Sequence, residues 1–387
     1  MSPTAERAER ADLADAAGGA TATTRSVAIR LLPVAAVAVF VLFVGAVVAA
    51  AAASGTLGFD FLAYHGAAAR VLAGERLYDP TVQQTGGFGL FYYPPPFVLA
   101  VLPLAVLPAS LAVWVWTALM LAAFAAGVAV IPVPTTVRWL TILLAGLSWP
   151  FAFAIKLGQV GPLLFLLFAI GWRWMDRPRL LGAAAAAGAL VKLQPGLLLV
   201  WAVLTGRIRA GVVGAIVIAV AAIVATVLAG GPSVWTDYVA LLRNVSDPIA
   251  TEHNFTPGAI AYQLGAGMAA ATTLQLVVSA LVVAAVVVAA RVAAADASYL
   301  VAVVASQLLS PVLWDHYAML LLLPTAWLLA RGHAWAVVIP LATSTLLVSI
   351  VPAAVYPSAF AATIVAVLAV GGRGLEGERS ARVSFAS

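Results

Sequence analysis

At 387 residues, 64% hydrophobic, 9% charged and with a mean hydropathy of +1.07, the chain carries more apolar surface than a water-soluble domain of this length can bury. Lipid must therefore solvate most of it. The net charge of +5 comes from basic residues near the ends of apolar runs, not from interleaved Lys/Arg and aromatics, which argues against a nucleic-acid partner. The absence of cysteine excludes disulfides, thiolate metal sites and thiol chemistry. The long Ala/Val/Leu runs lack the period-two alternation of a barrel, so the expected fold is an all-α polytopic integral membrane protein.

Residues 1–26 mix acids and bases with Ala, Thr and Gly and read as a short disordered, cytoplasmic tail. The apolar run Val27 to Ala53 is longer than the core of a signal peptide and has Arg25 and Arg30 at its start, so it is expected to be an uncleaved first span. It delivers the chain to a polar island, Gly55 to Phe97, which holds Asp60, His65, Arg70, Glu75, Arg76 and Asp79. This island reads as an extracytoplasmic catalytic loop.

Short basic loops at Arg138, Arg173 to Arg179, Arg207 and Arg209, Arg291, Arg331 and the tail from Arg373 mark cytoplasmic turns and thread the remaining spans. Phe97 to Leu107, about 16 Å as a helix, is too short to cross and is expected to be interfacial or re-entrant before a full span at Leu111 to Ile131. Leu180 to Gly206 reads as two half-length helices turning at VKLQPG, which keeps both flanking arginine clusters on one side and places Lys192 in a water-filled cavity. A second large outer loop spans residues 231–258. The threading gives about twelve crossings within a membrane domain at residues 27–371, interfacial helices in the outer loops and a cytoplasmic tail at 372–387. It gathers Asp60, Glu75, Asp79, Asp237, Asp247, Glu252 and Asp315, with His65, His253 and His316, on the outer side.

Several of these residues can carry chemistry. Asp60, between Phe59 and Phe61, is close to hydrocarbon yet reachable from water, a setting suited to a general base; an interfacial acid facing solvent or paired with Arg70 is the competing reading. Tyr92 and Tyr93 in FYYPPP suit an interface belt or stacking on a sugar. Lys156 in KLGQVGP and Lys192 in VKLQPG are the only lysines, and each can hold a lipid phosphate as a point charge, with Gln159 and Gln194 donating to the same anion; snorkelling to the interface is the alternative, more natural for Lys156. Asp315 and His316 in SPVLWDHY open an outer helix, where Asp315 or Ser310 can equally serve as a cap. Being adjacent on one helix, they are not a metal pair, and the other histidines are too scattered to make one. The Asn244 and Asn254 sequons carry no weight.

The succession FDFLAYHGAAARVLAGERLYDP, FYYPPPFVLAVLPLAVLP, KLGQVGPLLFLLF, GAAAAAGALVKLQPGLLLVWAVLTGR and LLSPVLWDHYAMLLLLP resembles that of glycosyltransferase family 87, from about Phe59 to Pro324. That family comprises integral-membrane mannosyltransferases that use polyprenyl-phosphate sugars, typified by actinobacterial enzymes of phosphatidylinositol mannoside and lipomannan assembly. The resemblance implies a GT-C fold and a periplasmic active site in a multi-pass plasma-membrane protein with both termini cytoplasmic. It also implies inverting transfer of a sugar, usually mannose, from a polyprenyl-phosphate donor to a lipid-linked glycan acceptor.

On this resemblance Asp60 matches the catalytic aspartate and takes the role of general base. Lys192, with Lys156, Gln159 or His316, would stabilise the departing phosphate, and His65, Tyr92, Tyr93, Gln194 and Asp315 would line the substrate site. No metal or nucleotide cofactor is implied. The Ala/Val-rich composition agrees with a high-GC actinobacterium. A lipid or sugar transporter or flippase is the alternative, which would place its charges on broken helices near the midplane.

Overall fold

The computed structural model describes residues 30–79, 81, 89–244, 247–344 and 353–372. The tail at 1–26, nearly all of the tail at 372–387 with its arginines, and the serine of the Asn244 sequon lie outside them. The described residues form helices and turns and no β-strand, apart from one isolated bridge between Ala293 and Gly372. This is an all-helical membrane protein.

The helices in order are α1 (Arg30–Ala53), α2 (Phe59–Leu72), α3 (Phe97–Val101), α4 (Ala109–Val130), α5 (Thr135–Leu147), α6 (Trp149–Leu157), α7 (Gly161–Arg173) and α8 (Pro178–Val191). They continue with α9 (Leu197–Leu204), α10 (Ile208–Leu228), α11 (Ser233–Asn244), α12 (Pro257–Gln263), α13 (Met268–Val292), α14 (Ala295–Leu308), α15 (Leu322–Ala330), α16 (Val338–Ala342) and α17 (Val355–Gly371). Short 3₁₀ turns precede α9, α12, α15 and α16.

Among the described residues four helices, α1, α4, α10 and α13, are long and apolar enough to cross a membrane unaided. A fifth crossing results if α5 and α6, bent by 69° at Ser148, count as one span. The break has a local cause, since Pro150 cannot donate the backbone hydrogen bond that would continue α5. The other crossings in the expected twelve would fall to helices of 10–17 residues such as α7, α8, α14 and α17.

Burial separates an inner from an outer set. Every residue of α14 from Ala297 to Leu308 is buried, as are Leu321 to Leu328 in and before α15, so these helices form the centre. By contrast, α10 presents Val212, Ile216, Val220 and Val227 outward at helical spacing, and α1 presents Val34, Val37 and Val41. In water such stripes would be untenable; in lipid they are solvated.

The stretch after the first span is built as a cap over the bundle. Helix α2 packs on α3 and α4, and a cluster of Phe61, Tyr64, Phe91, Tyr93, Phe97 and Trp116, with neighbouring ring centroids 4.7–6.3 Å apart, fills the space beneath it. Edge-to-face and offset contacts of this kind fix ring orientations as well as bury area. The segment from Phe97 is a one-turn helix followed by a 3₁₀ turn to Leu104, broken at Pro103.

Candidate active site

Two glycines set the site. Gly58, in the left-handed region at φ 75°, turns the chain out of α1 and starts α2, and its N–H donates to the Lys156 carbonyl at 2.8 Å. Gly158, at φ 71°, ends α6 directly opposite: a Cβ there would lie 2.8 Å from Phe61 Cβ and 3.2 Å from Gly58 Cα. Only glycine permits both the backbone conformation and the approach. Trp116 locks the junction, donating Nε1–H to the Gly158 carbonyl at 2.7 Å while stacking on Phe61 at 5.0 Å.

Asp60 sits in the first turn of α2, and Gln159 immediately follows Gly158, so this junction brings them together. Gln159 Nε2 donates to Asp60 Oδ2 at 2.5 Å. The oxygen of the same amide accepts from Tyr93 at 3.1 Å and makes a long contact of 3.5 Å with Lys192 Nζ. Lys192 reaches this point because α8 stops there: its backbone is extended, at φ −140° and ψ 142°, between α8 and the turn leading to α9. Its ammonium donates to the Tyr317 hydroxyl at 3.0 Å and stands 5.6 Å from the Tyr93 ring. Tyr64 completes the chain through a 2.6 Å hydroxyl contact with Tyr93.

A carboxylate and an ammonium are thus held apart by one amide, which donates to the first and accepts from the second. Burial raises the Asp60 carboxyl above the ordinary aspartate range, while the Gln159 hydrogen bond and the Lys192 charge draw it part of the way back. Asp60 nevertheless keeps partial exposure. The group is therefore a stronger base than a free aspartate and remains accessible.

The remaining candidates fall at different distances from this centre. Lys156 contributes its backbone carbonyl, whereas its ammonium lies 5.7 Å over the Phe153 ring. His65 is tied through Nε2 to the Leu107 carbonyl at 3.0 Å, and Arg70, the alternative partner for Asp60, donates instead to the Leu77 carbonyl at 3.0 Å. Gln194 donates to Ser310 at 2.8 Å, which joins the VKLQPG turn to the SPVLWDHY segment. Tyr92 has a buried hydroxyl without a protein partner.

Asp315 accepts from the backbone N–H of His316 at 3.1 Å, and its own carbonyl accepts a short hydrogen bond from Tyr356. His316 is 4% exposed, and among the described residues neither ring nitrogen has a hydrogen-bond partner, Nδ1 standing 4.0 Å from an Asp315 carboxylate oxygen. Its ring lies 5.0 Å from that of Tyr317, which places it beside the residue that holds Lys192. Buried polar atoms are rarely left unpaired, so this imidazole is a candidate for ligand contact. Tyr64 and Tyr317 are the residues that sequence reasoning missed. The first was legible in the helical spacing, because residues 60 and 64 share a face.

Among the described residues no three His, Asp or Glu side chains converge as a metal site would require. The segment 247–258 is joined to the site's edge by Asn254, whose fully buried amide donates to the carbonyls of Pro248 and Pro311 and accepts from the N–H groups of Thr256 and Leu313. That saturation makes Asn254 a structural staple, not an accessible glycosylation acceptor.

Fold and site together define a helical membrane protein in which a half-buried carboxylate and a half-buried ammonium flank one amide. The model of glycosyltransferase family 87 matches residues 91–324, more than half of the chain, and the protein belongs to that family. The match includes Tyr93, Gln159, Lys192 and Tyr317 and begins after Asp60. No curated protein and no solved structure matches the chain.

Proposed function

We propose that this membrane glycosyltransferase transfers a sugar, most simply mannose, from a polyprenyl-phosphate donor to a lipid-linked glycan hydroxyl of the phosphatidylinositol mannoside or lipomannan type, with inversion. The observation that carries the reading is the Asp60–Gln159–Lys192 relay, in which a base and a cation are separated by one amide. Asp60 removes the acceptor hydroxyl proton as that oxygen attacks the anomeric carbon. The bond from that carbon to the phosphate oxygen breaks on the opposite face, and the phosphate leaves with the electron pair.

Lys192 stabilises the charge that develops on the leaving phosphate, as preorganised cations do in a water-poor site. The unpartnered His316 imidazole and Tyr92 hydroxyl supply hydrogen-bonding groups to donor or acceptor. Lys156, turned toward Phe153, takes no part in this arrangement and anchors the turn through its carbonyl. The GT-C arrangement of about twelve crossings, with this site on the periplasmic side and both termini cytoplasmic, is part of the same proposal. A flippase would also explain a lysine at a helix break, but it gives Asp60 no role, and membership of a glycosyltransferase family weighs against it.

The test is transfer in proteoliposomes from labelled polyprenyl-phosphate-mannose, and separately from a nucleotide-linked mannose, with the product's anomeric configuration determined. Label from the lipid-linked donor alone, in a product of inverted configuration, is expected. Transfer only from the nucleotide sugar, or with retention, would overturn the donor or the stereochemical assignment respectively.

A further inference from the structure

A second feature lies at the opposite end of α8. That helix is 14 residues long, about 21 Å, with Lys192 just past its last residue and Arg177 just before its first. At the Arg177 end, the α7–α8 connection (Met175, Asp176, Pro178) and the α9–α10 connection (Thr205, Arg207, Arg209) enclose a pocket of about 520 Å3. Arg177 lies on the first connection, between Arg173 at the end of α7 and Arg179 at the start of α8, and Asp176 is the only acid between residues 173 and 210.

The basic side chains are not all free-floating. Arg207 is held across the pocket: its Nε donates to the Met175 carbonyl at 3.3 Å, its guanidinium lies 5.0 Å from the Trp201 ring, and Asp176 stands 3.7 Å away. The N-terminus of α10, which no side chain caps, opens at the same place.

A separate apolar groove of about 540 Å3 lies on the same helix pair, between Leu199, Val200 and Val203 of α9 and Gly211, Ala215 and Ile218 of α10, its Val203 and Gly211 being close sequence neighbours of the pocket's Thr205 and Ala210. Its floor is narrow because a Cβ on Gly211 would come within 2.9 Å of Val203. Basic residues at a membrane boundary by themselves indicate only orientation. Here, however, a basic pocket with one immobilised arginine borders, through residues adjacent in sequence, a hydrocarbon-lined groove on a lipid-facing helix.

We propose that pocket and groove together form a binding site for one anionic phospholipid of the bilayer, its phosphate headgroup at Arg207 and Arg209 and its acyl chain along Val203 and Gly211. The site is separate from the catalytic centre and does not depend on the assignment of donor or acceptor. Charge complementarity selects the headgroup, since Arg207 and Arg209 line the pocket against the single acid Asp176, and the groove selects a lipid over free phosphate.

The test is native mass spectrometry of the full chain, delipidated in detergent and titrated in parallel with phosphatidylglycerol and phosphatidylcholine. One retained phosphatidylglycerol, preferred at least about tenfold over the zwitterionic lipid, is expected. An interfacial arginine is worth about fivefold for an anionic lipid, so Arg207→Gln with Arg209→Gln should lower retention at least about tenfold. Millimolar inorganic phosphate should not displace the lipid, and Gly211→Leu, which fills the groove, should weaken it.

Equal retention of the two lipids, or wild-type retention by the double variant, would overturn the proposal. Displacement by inorganic phosphate would overturn it in favour of a headgroup-only anion site. If the double variant loses its thermal transition, Arg209→Gln alone decides, because that side chain is exposed; retention should fall about fivefold, and no change would refute the site.

Discussion

Gln159 donates a 2.5 Å hydrogen bond to the Asp60 carboxylate and thereby joins the cap over the bundle to the turn between α6 and α7. The opposite face of the same amide points at Lys192. Gln159→Leu removes the donor while keeping most of the volume. A hydrogen bond to a charged group contributes about 1.5–3 kcal/mol, so transfer should fall at least about tenfold with a fold that still melts cooperatively. A variant of wild-type activity would show that the amide does not orient the base.

On the proposed mechanism the acid limb of the pH–rate profile should report Asp60. A base works deprotonated, so activity is present above its pKa and lost as pH falls through it. Because burial raises this carboxyl, the limb should lie above the ordinary aspartate value of about 4. Lys192 draws the carboxyl down, so Lys192→Met should move the limb to higher pH as well as slow transfer. A limb that stays in place in residual Lys192→Met activity would disconnect the two groups.

The contact of Gly58 with Gly158 gives a prediction with an internal control. Gly158→Ala must adopt φ 71° and place a methyl 2.8 Å from Phe61 Cβ, whereas Gly74→Ala meets a similar φ of 73° in open space. The control should show only the left-handed cost of about 1–2 kcal/mol. Gly158→Ala should add an overpacking cost of about 1–3 kcal/mol and also reduce transfer, because Gln159 follows directly. Thermal transitions in detergent, read beside activity, check both halves; equal effects of the two substitutions would contradict the account.

Asn254→Ala tests whether Asn254 staples the segment 247–258 to the Pro311–Leu313 stretch. The substitution leaves two carbonyls and two N–H groups without their buried partner, at about 1–3 kcal/mol for each that water cannot reach. A clear drop in melting temperature is expected, with faster proteolysis between residues 245 and 253. An unchanged melt would mean that the segment is held by other contacts.

The sequence was informative where a residue type was costly to keep. A lysine at a helix break, an aspartate between two phenylalanines and a glutamine after a glycine are rare in a chain that is 9% charged, and Asp60, Gln159 and Lys192 do come together. Lys156 looked equivalent to Lys192 by type and surroundings. Its separation from the network depends on which way one side chain leaves α6, a matter of packing against Phe153 that composition does not encode. Tyr317 was masked by its neighbours Asp315 and His316, which drew the chemical interpretation to themselves.

The helical class was written in the hydropathy, as was the broken stretch at VKLQPG. The bend at Ser148 was less legible, because TILLAGLSWPFAFAI is continuous in hydropathy and differs from a straight span by a single proline. Spacing also gave no hint that Gly58 and Gly158, a hundred residues apart, meet.

The central claim, that Asp60 is the base of a sugar transfer, is tested most directly by one comparison: label transferred from polyprenyl-phosphate-mannose into lipid by wild type, Asp60→Asn and Asp60→Glu at equal expression and equal thermal stability. General-base catalysis contributes about 10²–10⁴-fold, so Asp60→Asn should lose that much, and Asp60→Glu, which keeps the carboxylate, should recover part of it. Transfer by Asp60→Asn within a fewfold of wild type would contradict the account.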